Sequence, residues 1–550
     1  MPLPEHKSAT EALDIQHKVQ AVVSGQLPPD DKFPYIGPGY KIPWLHIGSE
    51  RQLFLDNFIL DHLIDVERVI SKPQRHEGSV IEVGGYPWEG RRTLPQAALY
   101  DPEEGKYKLW YTESSGDDVY GDSGQVLCYA ESTDPLQWHK VLRQDAIPYG
   151  GQKNATNIVL EDSGHHIALV RNHDQSDPRR KYLLVYNPGD RAKALGKRVL
   201  STAMASPDGV CWHEINADTP YRHHHLSRAF WDEALQKYLA YSQYSHHWNP
   251  LYRKRQIGRQ ESRDFINWSP KEPVLSADWD PSLAPNLEFH DMSVRKVGGI
   301  YIGIASQFFT EPLWNVRNNV NWCDTAFVTL ALFVSRDSHH WIRASGHEPW
   351  IESEEPGNIY AGHHCFAVSG QLVHQGKSIV LYASRLEKQN WFDRPAPTPI
   401  VPEANFLKGK AEYERRVQVV KAGVNRGRAV SALLVREDGW AELRPTYEHG
   451  KVITRQFVFE GTELRVNADV AGGYLQVELL DPNFEPYPGF SADACVPIHA
   501  PREQIWHTVS WQGKRDLSAL WDKPVRLVFH LHQASLYAFE FVEGSFHASR

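Results

Sequence analysis

From about residue 50 onward the chain is a succession of short apolar or alternating runs, each ended by Gly, Pro, Asn or Asp. A period of two bounded by turn formers predicts β-strands rather than helices. One run recurs with aromatic ends: KYKLWY at 106–111, KYLLVY at 181–186, KYLAY at 237–241, IYIG at 300–303 and KSIVLY at 377–382. The first four are followed by a second repeat, Ser-x-Asp-x-x-x-Trp. It stands at Ser132/Asp134/Trp138, Ser206/Asp208/Trp212, Ser262/Asp264/Trp268 and Ser335/Asp337/Trp341. Its chemistry is that of a tight turn, in which the Ser hydroxyl and Asp carboxylate accept backbone N–H groups. The indole then buries a large ring between neighbouring sheets. Three strands, a turn carrying Trp and a fourth strand, repeated every several tens of residues, predict a propeller blade. Five aromatic-ended strands predict five blades. The N-terminal run RQLFLDNFIL (51–60) is expected to close the fifth, so that the ring has no exposed edge.

The pattern changes near residue 400. The Pro-rich stretch RPAPTPIVPEANF (394–406) reads as a linker. Beyond it, TELRVNADV (462–470), YLQVELL (474–480), VRLVFHL (525–531) and LYAFEFV (536–542) alternate as the strands of a β-sandwich do. The expected fold is therefore all-β: an N-terminal extension with a short helix over 1–45, a five-bladed β-propeller over 46–395, a linker over 396–425 and a β-sandwich over 426–550.

Composition sharpens this picture in three ways. The 18 Trp, 24 Tyr and 21 Phe suit sheets. A formal charge of −9 supplies no basic face, so nucleic acid is excluded as a partner. Cys128, Cys211, Cys323, Cys365 and Cys495 are scattered and form no CxxC pair, which predicts buried free thiols rather than disulfides or a thiolate metal site. The N-terminus lacks the apolar core of a signal peptide, and no run is long enough to span a bilayer. A cytoplasmic protein without membrane contact is expected, with the sandwich as an accessory domain or a site of self-association into a homo-oligomer.

The Ser-x-Asp turns ending in Trp resemble those of the five-bladed propeller glycoside hydrolases of the fructosidase and arabinanase type. The segments RQLFLDNFIL, GRQESRDFINW and VRLVFHLHQASLYAFEF are similar to a bacterial group of fructosidase-like glycosyl hydrolases, and this likeness runs from about residue 50 to the end. It implies a carbohydrate-active enzyme with an oligosaccharide substrate in the central funnel. The Trp-x-Asn-Asp-Pro, Arg-Asp-Pro and Glu-Cys signatures of the fructosidases are absent, and the spacing differs by one residue from the sialidase Asp-box.

In a propeller the starts of the inner strands converge on one mouth of the channel, which is the default site. Reading back from each aromatic-ended strand places Gln96, His165-His166, His223-His224-His225, Glu288/His290/Asp291 and His363-His364 there. Three chemistries compete. A carboxylate pair drawn from Glu288, Asp291 and Asp56, with His290 beside it, would hydrolyse a glycosidic bond. Other candidate carboxylates are Glu89 and Asp174. Alternatively, His and Tyr would abstract a proton beside a uronate carboxylate that Arg91, Arg171 or Arg228 neutralises, giving elimination. Or His166, His225, His290 and His364 would ligate a divalent metal on the axis. Glu89, Arg91, His166, Arg171, His225, Arg228, His364 and Trp314 are the expected substrate contacts. A non-catalytic sugar-binding propeller is the third functional class. The four turn Asp residues, and His339-His340 within the last turn, are expected to be structural. No nucleotide fingerprint stands in a strand–turn–helix context, so no cofactor is required.

Overall fold

The computed structural model describes residues 44–82, 85–89, 93–113, 125–151, 154–161, 163, 167–187, 201–219, 224–245, 255–280, 287–309, 327–346, 348–351, 365–384 and 429–544. Among these the ordered elements are β-strands and a few short 3₁₀ turns. No helix there is long and apolar enough to cross a membrane. The expected helix in 1–45 and the linker at 396–425 lie outside the described residues.

The chain is an all-β propeller with a β-sandwich, divided into two compact units. The propeller unit comprises Lys72–Lys296 and Tyr301–Val435. Its blades are antiparallel sheets in sequence order. Ile167–Arg171, Tyr182–Tyr186, Ser201–Ser206 and His213–Thr219 form one. His224–Asp232, Lys237–Ser245, Arg255–Ser262 and Glu272–Leu275 form the next, and Leu287–Val297, Ile300–Phe309, Phe327–Ser335 and Ile342–Arg343 the one after. The first blade, Leu94–Asp101, Lys106–Glu113 and Val126–Asp134 with its outer strands, and the last, Cys365–His374, Lys377–Ser384 and Ala429–Arg436, share one sheet through a parallel bridge between Ala97 and Ser369. All five aromatic-ended runs fall on the second strand of a blade.

The repeat turns form as their chemistry requires. The Asp208 carboxylate accepts the N–H groups of Val210 and Cys211 at 2.8 Å each, and Asp264 accepts those of Ile266 and Asn267 at 2.9 and 2.7 Å. Asp337 accepts His339 and His340 at 2.9 and 2.8 Å, leaving both histidines on the surface. The indoles of Trp138, Trp212 and Trp268 each donate to the carbonyl three residues back, at 2.8, 3.0 and 3.1 Å. Cys211 is the exception among the described thiols. It is exposed, because its turn carries it to the surface, whereas Cys128 and Cys495 are buried as expected.

A tyrosine on the second strand of one blade is tied to the end of the preceding blade's inner strand. Tyr182 donates to the Asp101 carboxylate. Tyr238 donates to the Asn172 amide oxygen at 2.6 Å, and Tyr301 to Asp232 at 2.5 Å. Tyr107 of the first blade donates to the carbonyl of Val373 in the last at 2.6 Å, so the same tie closes the ring. Burial pushes these phenols up, Tyr238 to about 12, so they remain donors at any ordinary pH. Asp101 is held well below the usual carboxylate range: burial would raise it, but Lys181, Tyr182 and two backbone N–H groups outweigh that.

The closing strand is not the one expected. Gln74–Arg75 pairs with Leu433 and Leu434 of the last blade, and the chain runs on beside it, Val80 donating to Val430 at 2.7 Å, until Trp138 of the first blade donates to Val80 at 2.8 Å. The run 51–60 belongs to the other unit, which takes in the chain up to Ser71, Val297–Ile300 and the chain from Arg436 onward. The expected boundaries at 45/46 and 425/426 therefore fall at 71/72 and 435/436. There Gln52–Leu53 pairs with Ser535–Val542, and Leu60–Ile64 pairs with His449–Thr454. Two sheets enclose a core of Phe54, Ile59, Leu464, Val477, Phe529, Phe539 and Phe541 among others. The physical reason is side-chain volume. The large apolar residues of 51–60 need a core to fill, whereas a strand that closes a blade edge chiefly supplies backbone partners, which the polar run 74–76 does.

Removing one tie tests its weight. Tyr301→Phe leaves the buried Asp232 carboxylate with the Leu235 N–H and, 3.5 Å away, the Lys296 ammonium. It is expected to lower stability by about 1–3 kcal/mol, the usual cost of taking a partner from a buried charged group. Urea unfolding followed by tryptophan fluorescence measures this, with Tyr447→Phe, at an 85% exposed position, as the variant that changes nothing.

Candidate active site

The inner strands carry irregularities that re-aim side chains. The first slips in register between Pro95 and Ala97, at Gln96. The third slips between His224 and Arg228, and the fifth between Ala367 and Gln371. In the fourth, Leu287 and Phe289 share one apolar cluster with Met292 and Val294, so the alternation shifts by one at His290–Asp291. A bulge of this kind turns a polar residue out of the core face and is common beside active sites.

Glu288 and Asp291, three residues apart, are each acted on by an arginine of the third blade. Glu288 is 2% exposed; one oxygen accepts the backbone N–H of Arg255 at 3.3 Å, and the Arg255 guanidinium lies 3.9 Å away. Asp291 is fully buried, and Arg228, itself 1% exposed, is the charge that acts on it. Burial pushes the Asp291 carboxyl up to about 6, against the opposing pull of Arg228 and the Ser306 hydroxyl. Neither oxygen of Asp291 completes a hydrogen bond of ordinary geometry, so the Ser306 contact is weak and desolvation prevails. His290, 7% exposed, brings Nδ1 to 3.5 Å from Asp291 Oδ1. The result is a buried set of two carboxylates, two arginines and a histidine, of which Arg255 was not foreseen. Its signal in the sequence was weak: an arginine at the start of an outer strand, adjacent only in space.

The other expected site residues separate. Asp56 belongs to the sandwich unit, where it accepts the N–H of Phe58 at 3.1 Å and acts on Arg68 and Arg455. It lies in the bend between Gln52–Leu53 and Leu60–Ile64 of that unit. Glu89 is buried in an ion pair with Lys140, Nζ to Oε2 2.7 Å, below the Tyr86–Trp88 stack. Asp174 caps a surface turn through Ser176. Arg171 stands at the far end of its inner strand, paired with Glu103 at 2.6 Å. Gln96 is buried at its bulge and donates to Thr112 at 3.1 Å. Arg91, His166, His364 and Trp314 lie outside the described residues, and His225 is placed only as a member of the strand His224–Asp232. Among the described residues no group of three or more His, Cys, Asp or Glu side chains could hold a metal ion.

A cavity of about 560 Å³ is lined by residues of all five inner strands, among them Ala98, Val170, Ala229, Val294 and Leu372. It follows the later halves of those strands, and among the described residues no acidic side chain lines it; Glu288 and Asp291 stand earlier on the fourth inner strand.

No family model matches the chain, and no curated protein matches it. Solved structures do. An N-acetylgalactosamine deacetylase from F. plautii in complex with blood group B trisaccharide is 13% identical over 66% of this chain and 96% of its own, with a TM-score of 0.43. A complex of BT0996 with RGII is 15% identical over 66% and 92%, with a TM-score of 0.41. A fructofuranosidase from Schwanniomyces occidentalis in complex with fructosylnystose is 11% identical over 85% and 98%, with a TM-score of 0.37.

The raised Asp291 has a measurable sign. A carboxyl whose folded value exceeds its unfolded value stabilises the fold at low pH, and that contribution is lost as pH rises from about 4 through about 6. Relative to Asp291→Asn, the wild-type protein is expected to lose about 2 kcal/mol between pH 4 and pH 7. Unfolding free energies of both across that range check this; a constant difference would mean that Asp291 titrates normally.

Proposed function

We propose that this chain is a glycoside hydrolase acting on a small or chain-end oligosaccharide at the mouth where the inner strands begin. The observation that carries this reading is the pair on the fourth inner strand: Asp291, raised to about 6 by burial, and Glu288, three residues away beside Arg255. The raised Asp291 takes the role of donor, and Glu288, beside the Arg255 guanidinium, that of its ionised partner. Asp291 gives its proton to the departing glycosidic oxygen. Glu288 either attacks the anomeric carbon or takes a proton from the attacking water, and either route consumes one water per bond cleaved. Arg228 stabilises the carboxylate that Asp291 becomes once its proton is given up, and Arg255 the ionised Glu288.

A second reading follows from the full burial of Asp291 and its 3.5 Å approach to the more exposed His290. Here Asp291 orients His290, and the imidazole removes a proton beside a uronate carboxylate, cleaving by elimination. Mass spectrometry of products from an oligosaccharide panel containing furanosides and uronates separates the two. Products that together gain one water, with turnover lowered at least about a hundredfold in Glu288→Gln, support hydrolysis. An unsaturated product, with turnover lost in His290→Ala and kept in Glu288→Gln, supports elimination. For hydrolysis kcat is also expected to fall as pH rises through about 6, since the donor then loses its proton. No turnover on any member of the panel, with each sugar retained unchanged by the protein, would favour the non-catalytic class.

A further inference from the structure

In the sandwich unit His449 opens the strand His449–Thr454 and His532 ends the strand Arg526–His532, and the two are direct cross-strand partners. Their rings lie 4.2 Å apart at 32°, with Nδ1 3.0 Å from Nδ1. His449 is exposed and His532 half-buried. On the other side of His532 its partner Tyr474 packs a ring at 4.8 Å, which holds the imidazole in place. Two imidazole nitrogens facing at this distance share one proton if they are alone. They also match the spacing of adjacent ligands on a metal ion. Bonds of about 2.1 Å set at a right angle hold two nitrogens about 3.0 Å apart, whereas the tetrahedral angle holds them about 3.4 Å apart.

We propose that His449 and His532 form a two-nitrogen site for a divalent transition-metal ion of tetragonal preference, copper(II) or nickel(II), with water completing the coordination. The ion replaces the shared proton and clips two neighbouring strands of the sandwich. His499 serves as the control: its ring packs on Tyr474 at 5.7 Å, and its Nδ1 is hydrogen-bonded to the Gly473 carbonyl at 3.0 Å rather than to either ring of the pair. Copper(II) binds most nitrogen sites more tightly than zinc, so metal preference alone does not test the assignment; dependence on both histidines does.

The experiment is a copper(II) chloride titration of the full chain by calorimetry, with electron paramagnetic resonance to count nitrogen ligands. His449→Ala, His532→Ala and the control His499→Ala accompany the wild type, and circular dichroism shows that each is folded. The wild type and the control are expected to bind one more equivalent than either variant, and copper to raise their melting temperature by more. Equal stoichiometry in all four proteins, or loss in only one of the two variants, would overturn the site and mark the binding as adventitious.

Discussion

The propeller depends on a buried phenol. A ring of sheets has no edges, so each blade must be located by the next, and apolar packing alone lets sheets slide against one another. The tie from Tyr182 to Asp101, Tyr238 to Asn172, Tyr301 to Asp232 and Tyr107 to the Val373 carbonyl removes that freedom at four junctions, including the one that joins last blade to first. Each pairs a donor that cannot ionise at ordinary pH with an acceptor at the end of an inner strand. Desolvation makes the bond costly to break, because either partner left alone is a buried polar group without water. The ring thus places all five inner strands around one axis, and the channel that they line is a consequence.

With the later halves of the inner strands located, their earlier residues are free to depart from regular pairing. The shift at His290–Asp291 takes two carboxylates and an imidazole out of the alternating pattern and sets them against Arg228 and Arg255. An inner strand with apolar residues there would be simpler to fold. The buried, half-compensated charge is a local conflict, and such conflicts concentrate where a protein acts rather than where it merely holds together.

What the sequence disclosed follows from range. The Ser-x-Asp-x-x-x-Trp turn was legible because its hydrogen bonds join residues two to five apart, as in Asp264 to Asn267 and Ser132 to Gln137. The tyrosine ties were not, since their partners lie 66 to 266 residues away, although the aromatic strand ends marked the donors. The run 51–60 was read as one strand, whereas only Gln52–Leu53 and Leu60 are strand and the residues between them a bend; its apolar side chains are buried, but hydrophobicity does not say which core a segment enters. Glu288 and Asp291 stood out by their place at the start of an inner strand, found by reading back from its aromatic-ended neighbour; that Arg255 of the preceding blade would lie beside Glu288 had no local signal.

The central claim is that Asp291 stays neutral well above the range of an ordinary carboxyl because the fold denies it water. Infrared difference spectroscopy between the wild type and Asp291→Asn, recorded across pH, reads this one group directly. The carbonyl band of a protonated acid should persist through pH 5 and give way to the carboxylate bands near pH 6. A spectrum showing Asp291 ionised at pH 5 would contradict the account, and with it the assignment of this residue as proton donor.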